Sequence, residues 1–180
     1  MAKKRAPSRK KSVPPVPPGY AGVTPHIVLD QCARAIEFYQ TAFGAKESLR
    51  MPGPDGKIAH AEILLGGTKV MMSDEITPMP GQPGVYKSPK SAGFATGGLF
   101  MYLKNVDGAF DRAVKAGCTV RMPPTDMFWG DRFAQVIDPF GHTWGMATRL
   151  ENLTPKQMQK RQQELFAKMK ASAGGASSGG

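Results

Sequence analysis

The sequence predicts an α+β domain in which two βαβββ modules form a curved mixed sheet around a cavity, followed by a C-terminal helix. Three observations support this fold class. A β-like run, an amphipathic helix and a terminating glycine occur at residues 23–45 and recur at residues 99–118. Three further β-like runs follow each of these segments. Residues 76–97 are rich in Pro, Gly and Ser and form a linker too long for an ordinary connection.

The first module, residues 23–75, begins with a predicted strand at 24–29. Asp30 is placed to cap the helix that follows, since Asp is favoured at helix N-termini. Apolar side chains at i, i+3 and i+4 spacing form one stripe along this helix, and Gly44 ends it. Three strands are then predicted at residues 46–51, 58–65 and 69–74.

The second module, residues 98–150, repeats this order about 73 residues later, beginning with a strand at 99–104. A helix with the same apolar spacing begins near Val106 and ends at Gly117. Because one helix covers only one side of a sheet, two such units can close their open sides toward each other and leave a cavity. The remaining strands are predicted at residues 119–122, 133–137 and 143–149.

The formal net charge of +10 is concentrated at the two ends of the chain. Residues 1–22 are basic and Pro-rich and predict a disordered arm. Residues 151–180 predict a helix followed by a flexible Gly/Ser-rich tail. Residues 12–153 contain equal numbers of basic and acidic side chains. We therefore expect no specific nucleic-acid partner, and binding of polyanions by the basic arms is kept as a separate hypothesis.

The cysteine content and the hydropathy indicate the compartment. Cys32 and Cys118 match neither a disulfide framework nor a CxxC metal motif, which predicts two reduced thiols in a cytoplasmic protein. No run of about 18 apolar residues occurs, so we expect no membrane-spanning segment and no membrane partner.

Several motifs resemble a known superfamily. The stretches "AIEFYQTAFGA", "AFDRAVKAGC" and "DPFGHTW" look like the vicinal-oxygen-chelate superfamily, which includes glyoxalase I, bleomycin-resistance proteins, fosfomycin-resistance enzymes and extradiol dioxygenases. "HAEILLGGTKVMMSDE" and "MFWGDRF" are further similar to its PhnB-like branch. The resemblance covers residues 23–150 and neither tail.

The resemblance implies a divalent metal held by His, Glu or Gln on the first, fourth, fifth and eighth strands. The corresponding positions in this sequence are Thr24, Met71 or Met72, Gly98 and Gly145. None of them is an imidazole or a carboxylate, and a divalent ion needs several such ligands converging. We therefore expect neither the usual metal site nor another cofactor.

Among the side chains that alternation along the predicted strands places toward the cavity, five are candidate site residues, namely His26, His60, Glu62, Phe100 and Tyr102. His60 and Glu62 are a candidate general acid–base pair, while the other three are candidate ligand contacts. Two other interpretations stay open. In the first, His60 and Glu62 form only a structural hydrogen bond. In the second, His26, His60 and Glu62 hold a metal at a displaced site.

The segment "DMFWGDRF", residues 126–133, places Trp129 and Arg132 near the mouth of this cavity. There the indole would stack on a ligand and the guanidinium would pair with an anionic group. In the alternative, the aromatic side chains cover the edge of the core and Arg132 pairs with Asp131 or Asp126. His142, in the "DPFGH" turn, is predicted to be exposed.

These observations favour a metal-independent small-molecule-binding protein that sequesters its ligand or transforms it. The alternative is a metal-dependent lyase, isomerase or dioxygenase that uses a displaced His/Glu site, because this fold supports many chemistries. A third hypothesis is an interaction protein whose body is only a scaffold. We also expect a homodimer, with the helix near residues 155–170 docked on its own body or on a second subunit.

Overall fold

The computed structural model describes residues 13–20, 22–75 and 86–175. Two four-stranded mixed sheets and their helices follow one another along the described chain. The first half forms β1 (His26–Leu29), α1 (Cys32–Phe43), β2 (Lys46–Pro52), a short 3-10 turn (Pro54–Gly56), β3 (Ile58–Leu65) and β4 (Thr68–Asp74). The second half forms α2 (Pro89–Ala92), β5 (Gly98–Tyr102), α3 (Val106–Ala116), β6 (Thr119–Asp126), β7 (Asp131–Ile137), β8 (Thr143–Arg149) and α4 (Pro155–Gly175).

Both sheets have the same topology. The strand order is β1-β4-β3-β2 in the first sheet and β5-β8-β7-β6 in the second. In each sheet the first two strands of this order pair in parallel, and the other pairs are antiparallel. The two predicted βαβββ modules and the C-terminal helix are therefore confirmed, and the strands divide into two four-stranded sheets.

Strand β6 is longer than the sequence predicted, since it continues to Asp126. This extension contains Pro123 and Pro124, and proline cannot donate a ladder hydrogen bond. β6 lies at the edge of its sheet and pairs only with β7, so one side of its backbone needs no partner.

The start of α1 corrects one prediction. Asp30 does not cap this helix: the N-cap residue is Gln31, which makes no side-chain cap hydrogen bond. The Asp74 carboxylate, at the end of β4, accepts instead from the backbone N–H of Cys32 at 2.7 Å. The cap comes from a distant residue because the parallel β1–β4 pair brings the end of β4 beside the start of the helix.

The second module uses the same device at α3. The Thr148 hydroxyl, near the end of β8, accepts from the backbone N–H of Val106 at 2.9 Å and donates to the Leu103 carbonyl. Asn105 adds a local cap by accepting from Gly108 N–H. The internal repeat therefore extends to the way in which each helix is attached to its sheet.

One continuous core joins the two modules. Helices α1 and α3 pack against each other, and the helix-facing sides of both sheets contribute to the same buried cluster. Within it, the buried Asp138 carboxylate accepts from the Tyr39 hydroxyl at 2.7 Å and from the Trp144 indole at 2.8 Å. A side chain of the first module is thereby hydrogen-bonded to the β7–β8 turn of the second.

His142 is buried, contrary to the prediction that it is exposed. Its Nε2 atom lies 3.0 Å from the Val28 carbonyl oxygen of β1. The backbone N–H of His142 donates to Asp138, which folds the turn back onto the protein. The residue is buried because this turn packs against the first module.

Residues 1–12, 21 and 176–180 of the predicted tails lie outside the described residues, and disorder there stays a prediction. Residues 171–175, which the sequence placed in the flexible tail, instead continue α4 to Gly175. The described part of the arm, residues 13–20 and 22, includes Tyr20, whose hydroxyl donates to Glu62 of the first sheet. The described chain contains no helix with the length and apolar character needed to cross a membrane.

Candidate functional site

The side of the first sheet turned away from α1 carries a polar cluster, formed by Tyr20, His26, His60, Glu62 and Lys69. Ala61 and Ile63 point into the core, so their neighbours His60 and Glu62 occupy the opposite side of β3. His26 on β1 and Glu62 on β3 both pair with Met71 of the intervening β4, which brings them to the same level of the sheet.

Glu62 is the centre of this polar cluster and is only 6% exposed. Its carboxylate accepts from Lys69 Nζ at 2.6 Å and from the Tyr20 hydroxyl, and His60 Nε2 lies 3.3 Å away. The hydrogen bond from Lys69, followed by that from Tyr20, lowers the pKa of Glu62 to about 2. The carboxylate is therefore ionised at neutral pH, and both of its oxygens already accept hydrogen bonds.

His26 differs in character from Glu62. Desolvation, and then the charge of the neighbouring His60, lower the pKa of His26. His26 is therefore the neutral imidazole of the polar cluster near pH 7, with the lone pair that a base requires. Glu62 is better suited to orient His60 than to accept a proton itself.

The corresponding side of the second sheet is aromatic. We call Phe100, Tyr102, Trp129 and Phe133 the aromatic face. The rings of Phe100 and Phe133 are stacked with centroids 5.9 Å apart and an interplanar angle of 7°. Tyr102 lies 5.2 Å from Phe100, and Trp129 lies 6.0 Å from Phe133.

A glycine makes room for this stack. A Cβ at Gly145 would lie 2.7 Å from the Phe100 ring, so any side chain there would displace it. Phe100 and Tyr102 nevertheless remain 54% and 64% exposed. Exposed apolar patches are typical of interaction surfaces, so the aromatic face is a candidate binding surface.

Asp131 lies beneath one end of the aromatic face and is only 5% exposed. Its Oδ2 atom accepts from the Tyr102 hydroxyl at 2.8 Å and from the Trp129 indole at 3.1 Å. These two bonds fix the orientation of both rings. Hydrogen bonding to Asp131 is also the main reason that the pKa of Tyr102 is raised.

The polar cluster and the aromatic face occupy equivalent positions in the repeat. Phe100 and Gln135 both pair with Gly145 of β8, as His26 and Glu62 both pair with Met71 of β4. The structure thus brings His26, His60 and Glu62 together on one sheet, and Phe100, Tyr102 and Trp129 together on the other. Among the described residues, no hydrogen bond or ring contact joins the two groups.

Arg132 lies on the opposite side of β7 from its neighbours Asp131 and Phe133. Its guanidinium donates to both carboxylate oxygens of Asp107, on α3, at 2.7–3.0 Å, and to Asp126 at 2.8 Å. Pairing with Asp126 was the alternative interpretation of the sequence. Binding of an anionic ligand by Arg132 would require these bonds to break, so we remove it from the candidate site.

Three further residues belong to the site. Phe133 follows the alternation of its predicted strand and could have been identified from it. Asp131 was missed because β7 begins two residues earlier than predicted. Tyr20 lies in the segment predicted to be a disordered arm, and the local sequence contains no signal that it contacts the sheet.

The positions that correspond to metal ligands in the resembling superfamily do not fit a metal. A Cβ at Gly98 would lie 3.0 Å from the Thr143 carbonyl oxygen, and one at Gly145 would meet Phe100. Met72 is fully buried in the core. Within the ranges that the structure describes, no three His, Cys, Asp or Glu side chains are grouped to hold a metal ion.

Comparison with known proteins agrees with this architecture. Residues 23–146 match the family described as Glyoxalase/Bleomycin resistance protein/Dioxygenase superfamily. An uncharacterized protein of Mycobacterium bovis, Mb0911c, is 39% identical over 137 residues, which cover 76% of this chain and 89% of that protein.

Two solved structures are also similar. TioX from Micromonospora sp. ML1 has a TM-score of 0.55 and 26% identity, and the match covers 72% of this chain and all of TioX. The PhnB protein from Bacillus cereus has a TM-score of 0.54 and 16% identity, covering 71% of this chain and 99% of that one, and shows the fold alone. Because the family model matches residues 23–146, well over half of the sequence, the chain belongs to the Glyoxalase/Bleomycin resistance protein/Dioxygenase superfamily.

Proposed function

We propose that this protein binds a small, planar, largely apolar molecule on the aromatic face and does so with its own side chains rather than through a metal. One observation carries the proposal. Phe100 and Tyr102 are more than half exposed although they belong to an ordered stack of rings. Covering such a surface with a flat ligand removes apolar area from water and adds ring–ring contacts.

The geometry supports a flat ligand in particular. Phe100 and Phe133 are nearly parallel, Asp131 orients Tyr102 and Trp129, and Gly145 leaves the space beneath Phe100. Rings that are already ordered before the ligand binds lose little conformational freedom on binding, which favours affinity.

Sequestration is the activity that we favour over chemical conversion. Glu62 is ionised and accepts hydrogen bonds from Lys69 and Tyr20, so it is a weak general base at neutral pH. Proton transfer by the polar cluster remains the second candidate function, supported by the neutral imidazole of His26 beside His60. In that case His26 would accept the proton, and Glu62 would orient His60.

We also propose a cytoplasmic location. Cys32 and Cys118 are both free thiols and both are buried. The pKa of each thiol is raised to about 12, mainly because burial disfavours the charged thiolate. Thiols of this kind are structural and suit a reducing compartment. Detection of the protein in a non-cytoplasmic fraction of fractionated cells would contradict the proposal.

The proposed function is tested with quinoline, a neutral and planar probe at pH 8. Phe100→Ala should weaken quinoline binding about tenfold, because one wall of the stack and its buried area are lost. Binding is measured by titration calorimetry, and folding is checked by a thermal melt.

Phe166→Ala is the matched control. Phe166 has nearly the same exposure as Phe100 but lies on α4 and, among the described residues, makes no ring contact with the aromatic face, so this variant should bind quinoline like the unchanged protein. Equal affinities of the Phe100→Ala variant and the unchanged protein would refute the aromatic face as the binding surface.

A further inference from the structure

We infer that one end of the aromatic face is a pocket for an organic cation, closed on one side by the C-terminal segment. This inference rests on the proposed function and specifies the ligand of the same surface. The cavity has a volume of about 530 Å³. Its lining residues are Tyr102, Trp129, Asp131, Arg149, Leu153 and Met158.

The charge of Asp131 is the first argument. The carboxylate is 5% exposed, yet both of its side-chain donors, Tyr102 and Trp129, are neutral. Among the residues described by the structure, none forms a salt bridge with it. A carboxylate withdrawn from water without a cationic partner is costly, and a cationic ligand would supply that partner.

Arg149 does not fill this role. It is opposite Asp131 in the β7–β8 register, but its guanidinium donates to the Glu151 carbonyl at 3.3 Å and to the Asn152 side chain at 3.0 Å. It therefore ties β8 to the C-terminal segment. Arg149 also lines the cavity, but among the described residues it forms no salt bridge with Asp131, whose side-chain hydrogen bonds come from Tyr102 and Trp129.

Aromatic rings around a carboxylate are suited to a cation. A cation placed over the face of a Trp or Tyr ring is attracted by the ring electrons, and the attraction increases when water is excluded. Leu153 and Met158, from the C-terminal segment, provide an apolar wall of the cavity. The pocket combines the charge and the ring faces that bind protonated amines and quaternary ammonium groups.

The C-terminal wall is held in place by the backbone. The N–H groups of Leu150 and Glu151 both donate to the Gly130 carbonyl at 2.9 Å. Gly130 has a φ of +93°, and a Cβ there would lie 3.2 Å from atoms of Glu151 and Leu153. The loop that carries Trp129 is therefore packed tightly against the segment. Since the family match ends at residue 146, this wall lies outside the matched region.

The test compares two planar probes that differ by one charge, quinoline and 1-methylquinolinium, by calorimetry at pH 8. We expect the unchanged protein to bind 1-methylquinolinium about tenfold more tightly than quinoline, as a desolvated cation–π contact with a nearby carboxylate allows. Asp131→Asn retains the acceptor for Tyr102 and Trp129 but removes the charge, so it should abolish the preference.

The matched control for Asp131→Asn is Asp126→Asn. Asp126 lies on the adjacent strand β6, where it pairs with Arg132 on the other side of the sheet, so its substitution should leave the preference unchanged.

A second variant covers the case in which Asp131→Asn fails to fold. Met158→Lys places a positive charge in the half-buried wall and should weaken 1-methylquinolinium binding at least tenfold more than quinoline binding. Met169→Lys, on the exposed part of α4, should change neither affinity.

The outcomes separate the two proposals. Equal affinities for both probes, unaffected by either variant, would overturn the cation pocket and leave the aromatic face as a binding surface. Failure of both probes to bind would overturn the cation pocket and the proposed function together.

Discussion

Adjacent residues of one strand have unrelated roles in this protein. Asp131 orients two rings of the aromatic face, while Arg132, the next residue, joins β7 to α3 through Asp107. Successive side chains along a strand point to opposite sides of the sheet, so these two residues contact different parts of the protein. A charged pair that is consecutive in sequence therefore cannot be assumed to act on one ligand.

At the residue scale, the environment of Glu62 predicts a stability change with pH. Its folded pKa of about 2 lies below the ordinary value of 4.5, so its ionised form stabilises the fold above pH 4.5. This contribution should be lost as the pH falls from about 4.5 to about 2. We expect the free energy of unfolding to decrease by about 1–3 kcal/mol over this range. Glu62→Gln should remove that part of the acid dependence in urea unfolding between pH 7 and pH 2.

Glu37→Gln, on the exposed side of α1, is the control and should leave the acid dependence unchanged. A carboxyl titration by NMR gives the Glu62 pKa directly. A midpoint near 4.5 would contradict the bonding with Tyr20 and Lys69, and would return Glu62 to the list of candidate general bases.

At the scale of elements, each module fastens its helix with a side chain from its own last strand. Asp74 caps α1, and Thr148 caps α3. Asp74 also accepts from the backbone N–H of Ile58, so one carboxylate joins the start of α1 to the start of β3. The helix orientation is consequently determined by the sheet rather than by the residues that precede the helix.

Substitution of Asp74 and Asp30 distinguishes the observed cap from the predicted one. Asp74→Ala should destabilise the protein by about 2–4 kcal/mol, since two buried N–H groups lose their acceptor. Asp30→Ala should cost less than about 0.5 kcal/mol, because Asp30 has one buried oxygen without a partner and only a 3.8 Å contact with Lys90. Urea unfolding of both variants provides the comparison, and the reverse ranking would refute the assignment.

At the scale of the whole molecule, the two modules share one core but present different chemistry on their helix-free sides. The buried bonds of Asp138 to Tyr39 and of His142 to Val28 join the modules. The duplicated framework thus holds a polar cluster on one sheet and an aromatic face on the other, at equivalent registers.

The uncovered surfaces support the expectation of a homodimer. Leu165, Phe166 and Met169 on α4 are exposed apolar side chains outside the aromatic face. Burial of such apolar area against a second copy would stabilise an assembly. Sedimentation equilibrium should therefore give about twice the chain mass of 19.4 kDa. A single species at the chain mass across the micromolar range would contradict the dimer.

The sequence by itself determined the repeated modules, the helix ends at Gly44 and Gly117, and the side of β3 on which His60 and Glu62 lie. These features depend on the local spacing of apolar residues and on the positions of glycines, and both are present within a single short segment of the sequence. Only the tertiary structure decided that Asp74 rather than Asp30 caps α1, that Tyr20 binds Glu62, and that the C-terminal segment closes a pocket beside Asp131. Each of those contacts joins residues far apart in the chain, and the folded backbone alone brings them within bonding distance.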